Sequence, residues 1–263
     1  MDAILIPVIS FGVIGLIVGV VLGIASKIFA IDSDPRIDQI AECLPGANCG
    51  GCGYAGCASL AKAIAEGEAP VDACPSLSND GLKQISKIMG VEAVQKTPMA
   101  AFVRCNGTLE KANYQYYFDG TKTCKSVSQL NGGDKSCIYA CLGYGDCVQK
   151  CQFGALSVQN GVAVVDKEKC TACGLCVKEC PKKVIELMPK DLKYYVKCSS
   201  QDKGAVMKDK CSAGCIACKI CEKNCPADAI SVKDNLARID QSKCVGCGIC
   251  AEKCPKHIII KSS

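Results

Sequence analysis

Residues 4–24 are apolar apart from Ser10 and interspersed glycines, and no charge follows until Lys27. A helix over this stretch rises about 31 Å, the thickness of a bilayer core, so the pattern predicts an N-terminal transmembrane helix. A cleaved signal peptide would carry positive charge before a shorter apolar run. Here Asp2 precedes the run, and Lys27 and Arg36 follow it. The expectation is a retained single-pass anchor over 1–28 in a cell membrane, with the remaining chain on the cytoplasmic side. Gly15, Gly19 and Gly23 recur every fourth residue and form a small-residue face suited to a partner membrane helix.

The pattern then changes. Residues 29–92 read as a small, mostly helical unit. One helix runs over 58–66 and stops at Gly67; another runs over 81–89, capped near Asn79 or Asp80 and ended by Gly90. Residues 93–135 form a connector with a strand at 114–118, before the turn at Asp119 and Gly120. Residues 155–165 read as a hairpin about Asn160 and Gly161, and a second hairpin joins 229–232 to 237–240. These hairpins mark two similar units, 136–190 and 213–263, with a second connector over 191–212. The fold class is α+β.

Composition changes the picture at one residue type: 25 of 263 residues are cysteine, while Trp is absent and Phe is scarce. So lean a core needs inorganic groups to complete it. A disulfide scaffold is disfavoured because the count is odd and the cysteine spacing recurs. The formal charge of +5 omits ligand thiolates. Five cubanes at about −2 each would bring the chain to about −5, and no basic run interleaves with aromatics, so no nucleic-acid partner is expected.

The spacing of two, two and three residues followed by Pro occurs three times. The runs are Cys170, Cys173, Cys176, Cys180 and Pro181; Cys215, Cys218, Cys221, Cys225 and Pro226; and Cys244, Cys247, Cys250, Cys254 and Pro255. This is the ligand run of bacterial-type ferredoxins, whose fourth cysteine reaches the neighbouring [4Fe–4S] cluster. A fourth run, Cys137, Cys141, Cys147 and Cys151, departs from that spacing and has Gln152 in place of Pro, yet the hairpin follows it, so it reads as a degenerate half.

Cross-ligation assigns four sets. They are Cys137, Cys141, Cys147 with Cys180; Cys170, Cys173, Cys176 with Cys151; Cys215, Cys218, Cys221 with Cys254; and Cys244, Cys247, Cys250 with Cys225. In the helical unit Cys49, Cys52, Cys57 and Cys74 make a fifth site of another kind, with a structural zinc as its alternative occupant. The glycines there let backbone amides turn toward a cluster. Five [4Fe–4S] clusters therefore use twenty cysteines. Cys105, Cys124, Cys198 and Cys211 either hold a sixth or are buried structural thiols, and Cys43 is left without a role. His257, the single histidine, stands in no acid–base constellation, and no catalytic residue is assigned.

Taken together, the glycine-bearing anchor, the block over 43–57 with Cys74 and Pro75, and the tandem ferredoxin runs resemble the B subunit of the Rnf complexes. These are membrane-bound ferredoxin:NAD+ oxidoreductases that couple electron flow to ion translocation. The resemblance covers essentially the whole chain, and the N-terminal block is its specific part. It is similar to the longer, anaerobe type, with two ferredoxin pairs. The resemblance implies a subunit of a translocating oxidoreductase without a complete active site of its own. Electrons would come from reduced soluble ferredoxin and pass on to membrane and soluble subunits of the same complex. No dinucleotide fingerprint follows a strand, which puts NAD on another subunit. The alternative is a polyferredoxin of another membrane complex, of quinol dehydrogenase or hydrogenase type, which would have no need of the N-terminal block.

Overall fold

The apolar N-terminal stretch folds as one helix, α1 (Asp2–Ile28). The computed structural model describes the backbone of residues 2–28, 34–92 and 95–262, and the side chains of 11–26, 34–92 and 95–262. Along α1 the large apolar side chains described are exposed, Phe11 at 76% and Leu16 at 70%. Nothing lies within 4 Å of a Cβ built on Gly12, Gly15, Gly19 or Gly23. Among the described residues no helix is long and apolar enough to cross a membrane. The expected span over 4–24 and its Lys27 flank extend outside the described side chains.

Three helices make the N-terminal unit: α2 (Pro35–Cys43), α3 (Cys57–Ala65) and α4 (Asn79–Met89). Pro35 opens α2, where a missing N–H costs nothing. The cap of α4 lies one residue earlier than expected: Ser78 Oγ accepts from Gly81 N at 3.0 Å. Gly90 closes the helix with φ at 67°. Asn79 is engaged elsewhere, its Oδ1 accepting from Lys96 N at 3.2 Å. Ile40, Leu60, Ile64, Leu82 and Ile85 bury the facing sides of the three helices in one apolar core.

The rest of the chain is built from two-stranded antiparallel sheets. β1 (Met99–Val103) pairs with β4 (Ile185–Pro189), and β2 (Leu156–Gln159) with β3 (Val162–Val165). β5 (Tyr194–Val196) pairs with β8 (Ile259–Lys261), and β6 (Ile230–Lys233) with β7 (Leu236–Ile239). Both expected hairpins are present. Asn160 and Gly161 turn the first, Asp234 and Asn235 the second, each with two positive φ angles that match the strand twist. The segments 93–135 and 191–212 supply β1 and β5, the outer strands of the first and second units. No strand forms at 114–118, where a single bridge joins Tyr114 to Lys135. Tyr117 there is 82% exposed, and only Phe118 packs inward, against Cys124, Val127 and Leu142. One buried cluster runs through both units, and cysteine is its most frequent residue.

Candidate metal centres

In the N-terminal unit the loop before α3 turns through positive φ at Asn48, Gly50 and Gly53. Asn48 Oδ1 accepts from Cys57 N at 2.7 Å, which ties the loop to the helix start. Burial pushes the Cys74 thiol up, and Cys52, Cys57 and Cys49 add to the rise. The structure thus brings these four cysteines together. Cys43 stands apart, donating its thiol to Gln84 Oε1 at 3.2 Å.

This unit sits against the first ferredoxin-like loop. Ser76 Oγ donates to Thr171 Oγ1 at 3.2 Å, and a Cβ on Gly51 would lie 2.6 Å from the Cys173 carbonyl oxygen. The Cys173 thiol is raised by burial, with Cys49 foremost among the thiols around it. Gly51→Ala is therefore expected to weaken this docking by about 1–3 kcal/mol. Amide exchange should quicken at 51–57 and 171–174 and stay unchanged in the β2–β3 hairpin; equal exchange in both proteins would refute the contact.

Two of the expected four-cysteine sets line open space. Cys170, Cys173, Cys176 and Cys151 border about 350 Å³ not filled by protein atoms, walled by Phe153, Leu156, Val165 and Leu187. Cys215, Cys218, Cys221 and Cys254 border about 320 Å³, walled by Val232, Ile258 and Ile259. Burial, then Cys170, Cys173 and Cys151, push Cys176 up to about 12. Burial likewise pushes Cys221 up to about 11, with Cys215, Cys254 and Cys218 contributing. Cys250 rises through burial and then Cys244, Cys247 and Cys225, so the fourth set is assembled as well. Backbone amides point at the thiols: Ala101 N donates to Cys170 Sγ at 3.3 Å, and Ala229 N to Cys225 Sγ at 3.3 Å.

The degenerate half is arranged differently. Burial pushes Cys147 up to about 12, followed by Cys141, Cys124, Cys180 and Cys176. Cys124, expected beside Cys105, Cys198 and Cys211, lies here, and its amide donates to Asp146 Oδ1 at 2.8 Å. Cys137 has Cys105 and Cys211 as its thiol neighbours, under a rise due mainly to burial. Among the described residues no group of three or more His, Cys, Asp or Glu could hold a single metal ion. A four-iron cube is wider than one ion, and zinc–sulfur bonds of about 2.3 Å draw ligands close. The open four-thiol sets, with amides aimed at sulfur, fit a cluster.

These features define a polyferredoxin carrying an additional N-terminal iron–sulfur unit. Family models agree segment by segment: "Putative Fe-S cluster" matches residues 44–76, "4Fe-4S binding domain" 163–186 and "4Fe-4S dicluster domain" 214–258. The chain is 45% identical over 244 residues to the B subunit of the Na(+)-translocating ferredoxin:NAD(+) oxidoreductase complex of Acetobacterium woodii, covering 92% of this chain and 73% of that protein. It is 48% identical over 231 residues to the B subunit of the ion-translocating oxidoreductase complex of Methanosarcina acetivorans, covering 88% of each. It is 40% identical to the proton-translocating counterpart of Clostridium ljungdahlii, over 92% of this chain and 86% of that one. The chain belongs to the B subunits of the ion-translocating ferredoxin:NAD+ oxidoreductase (Rnf) complexes.

Proposed function

We propose that this chain carries electrons from reduced soluble ferredoxin toward NAD+ within a multi-subunit complex that couples the flow to ion translocation. The carrying observation is the crossing of Cys151 and Cys254 into the thiol sets of the neighbouring loops, which makes successive sites contiguous. The twenty cysteines named above for the five sites are among the proposed ligands. A bound [4Fe–4S] cluster supplies a one-electron couple without making or breaking a substrate bond. The chain's own groups do the rest. Amides such as Ala101 N and Ala229 N hold thiolate charge, and Phe153, Leu187 and Ile258 keep water from the sulfurs.

The second ferredoxin-like unit is the proposed dock for the donor. Cys218 and Cys247 are the exposed cysteines among those described, and exposed Lys219, Lys223, Lys243 and Lys253 accompany them. Such a basic surface steers an acidic partner. The helix α1 is the proposed single-pass membrane anchor, supported by its exposed apolar side chains, with the iron–sulfur body on the cytoplasmic side. Its Gly15, Gly19 and Gly23 face would pack on a membrane subunit.

The test is iron, acid-labile sulfide and zinc per full chain purified without oxygen, followed by mixing with reduced ferredoxin. Iron with matching sulfide, bleached by reduced ferredoxin and leaving NAD+ untouched, is the expected outcome. Stoichiometric zinc with little iron would sink the reading.

A further inference from the structure

Four loops of this chain share one backbone signature. After Cys170, positive φ occurs two and four residues on, at Ala172 and Gly174; after Cys215, at Ala217 and Lys219; after Cys244, at Gly246 and Gly248. After Cys141 it occurs at Gly143 and Gly145. By this register Cys141 is the first ligand of its loop, Cys147 the third and Cys151 the fourth. Tyr144 occupies the place of the second. Its hydroxyl donates to Asp134 Oδ2 at 2.6 Å, so it serves the fold and leaves the loop one thiolate short.

Cys124 supplies that thiolate. It lies against the 144–146 loop, anchored by its amide on Asp146 Oδ1, and the amides of Asp146, Tyr144 and Gly145 reach its sulfur. Cys137, which precedes the loop, is then free for a different set. Four buried cysteines from both connectors and the first ferredoxin-like unit share one core: Cys105, Cys137, Cys198 and Cys211. Cys141 N and Gly107 N donate to Cys105 Sγ at 3.3 and 3.4 Å, and Cys215 N donates to Cys198 Sγ at 3.4 Å. A Cβ on Gly107 would stand 3.5 Å from Cys105 Sγ and 3.6 Å from Cys211 Sγ, so both sulfurs border the space over that glycine. Arg104 ties the segments together by donating to the Cys198 carbonyl at 3.3 Å. Thiols kept only for packing need no amide donors, whereas cluster thiolates are regularly given them.

We propose that Cys105, Cys137, Cys198 and Cys211 hold a sixth [4Fe–4S] cluster, and that Cys124, Cys141, Cys147 and Cys180 hold the first ferredoxin cluster. This rests on the reading of the chain as an iron–sulfur electron carrier. The sixth site joins Cys137 of the first ferredoxin-like unit to both connectors, and Cys215 N of the second unit donates to Cys198 Sγ, so the site lies between the two halves of the body.

The experiment counts iron and labile sulfide in the full chain purified without oxygen, and in paired variants. About twenty-four irons are expected in the wild type; about twenty, with reduction by ferredoxin intact, would overturn the sixth site alone. Zinc in place of iron would overturn the parent reading with it. Cys124→Ala combined with Cys147→Ala should lose about four irons, as each single variant does, because both strip one site. Cys124→Ala combined with Cys198→Ala should lose about eight. A loss of about four in the second pair and about eight in the first would refute the partition. Should the variants not fold, the wild-type count, checked by native mass spectrometry, decides the sixth site.

Discussion

Stripping iron from the full chain is expected to unfold residues 95–262 as one body while α2, α3 and α4 keep part of their protection. The body's buried core is richer in cysteine than in any other residue, and its strands are three to five residues long. Burial holds Cys198 up at about 12 and Cys141 at about 11, so without metal these thiols stay neutral and give the core little. A structural metal site contributes on the order of 10 kcal/mol in small domains, comparable to the 5–15 kcal/mol or so of a domain's net stability. Losing even one set is enough to cross that margin. The N-terminal unit differs because its core is mainly aliphatic: Cys74 is the one buried thiol in it, and Ile40, Leu60, Ile64, Leu82 and Ile85 pack together. Each contributes about 1.5–3 kcal/mol by burial, which sustains fluctuating helices though not the ligand loop. Hydrogen exchange before and after chelation measures both parts. Persistent protection in β1 and β4 of the iron-free chain would contradict the argument.

What the sequence made legible was local. The repeated ligand spacing assigns each fourth cysteine to the neighbouring loop, and Cys151 lies beside Cys170, Cys173 and Cys176 as Cys254 does beside Cys215, Cys218 and Cys221. Asn160 with Gly161 announced a hairpin through the positive φ angles that such turns demand. The outer strands were hidden for a physical reason: Met99–Val103 meets Ile185–Pro189 across more than eighty residues, and a five-residue apolar run does not declare a distant partner. Tyr-rich residues 114–118 have strand-like composition but no partner beyond the single bridge from Tyr114 to Lys135, which a propensity cannot reveal. The placement of Cys124 was hidden likewise, since it enters another loop from outside. One signal for it was present all along: Tyr144 stands three residues after Cys141, where the other loops carry their second cysteine.

Lys135→Met is expected to lower the reduction potential of the centres held by Cys141 and Cys211 by roughly 90 mV, and to weaken the fold. Lys135 is fully buried, its Nζ donating to Gly107 O at 2.7 Å and Gly161 O at 2.9 Å. It therefore fastens the loop that touches Cys105 and Cys211 to the turn of the β2–β3 hairpin. Burial raises the Cys141 and Cys211 thiols, and Lys135 is among the groups that pull both back down. A unit charge on the order of 8 Å away, at an effective dielectric of about 20, acts with roughly 2 kcal/mol. For one electron that is about 90 mV. The sign follows from charge: reduction adds an electron, the ammonium favours the more negative state, and its removal makes reduction harder. Methionine nearly preserves the volume but leaves the buried Gly107 carbonyl without this partner, a cost of about 1–3 kcal/mol, and less at the part-buried Gly161 carbonyl. Redox titration followed by electron paramagnetic resonance would show the affected centres moving down while those bound by Cys244, Cys247 and Cys250 stay in place. Unchanged potentials at full iron content would mean that Lys135 only fastens the loops, and a uniform shift of every centre would mean that its charge is not felt locally.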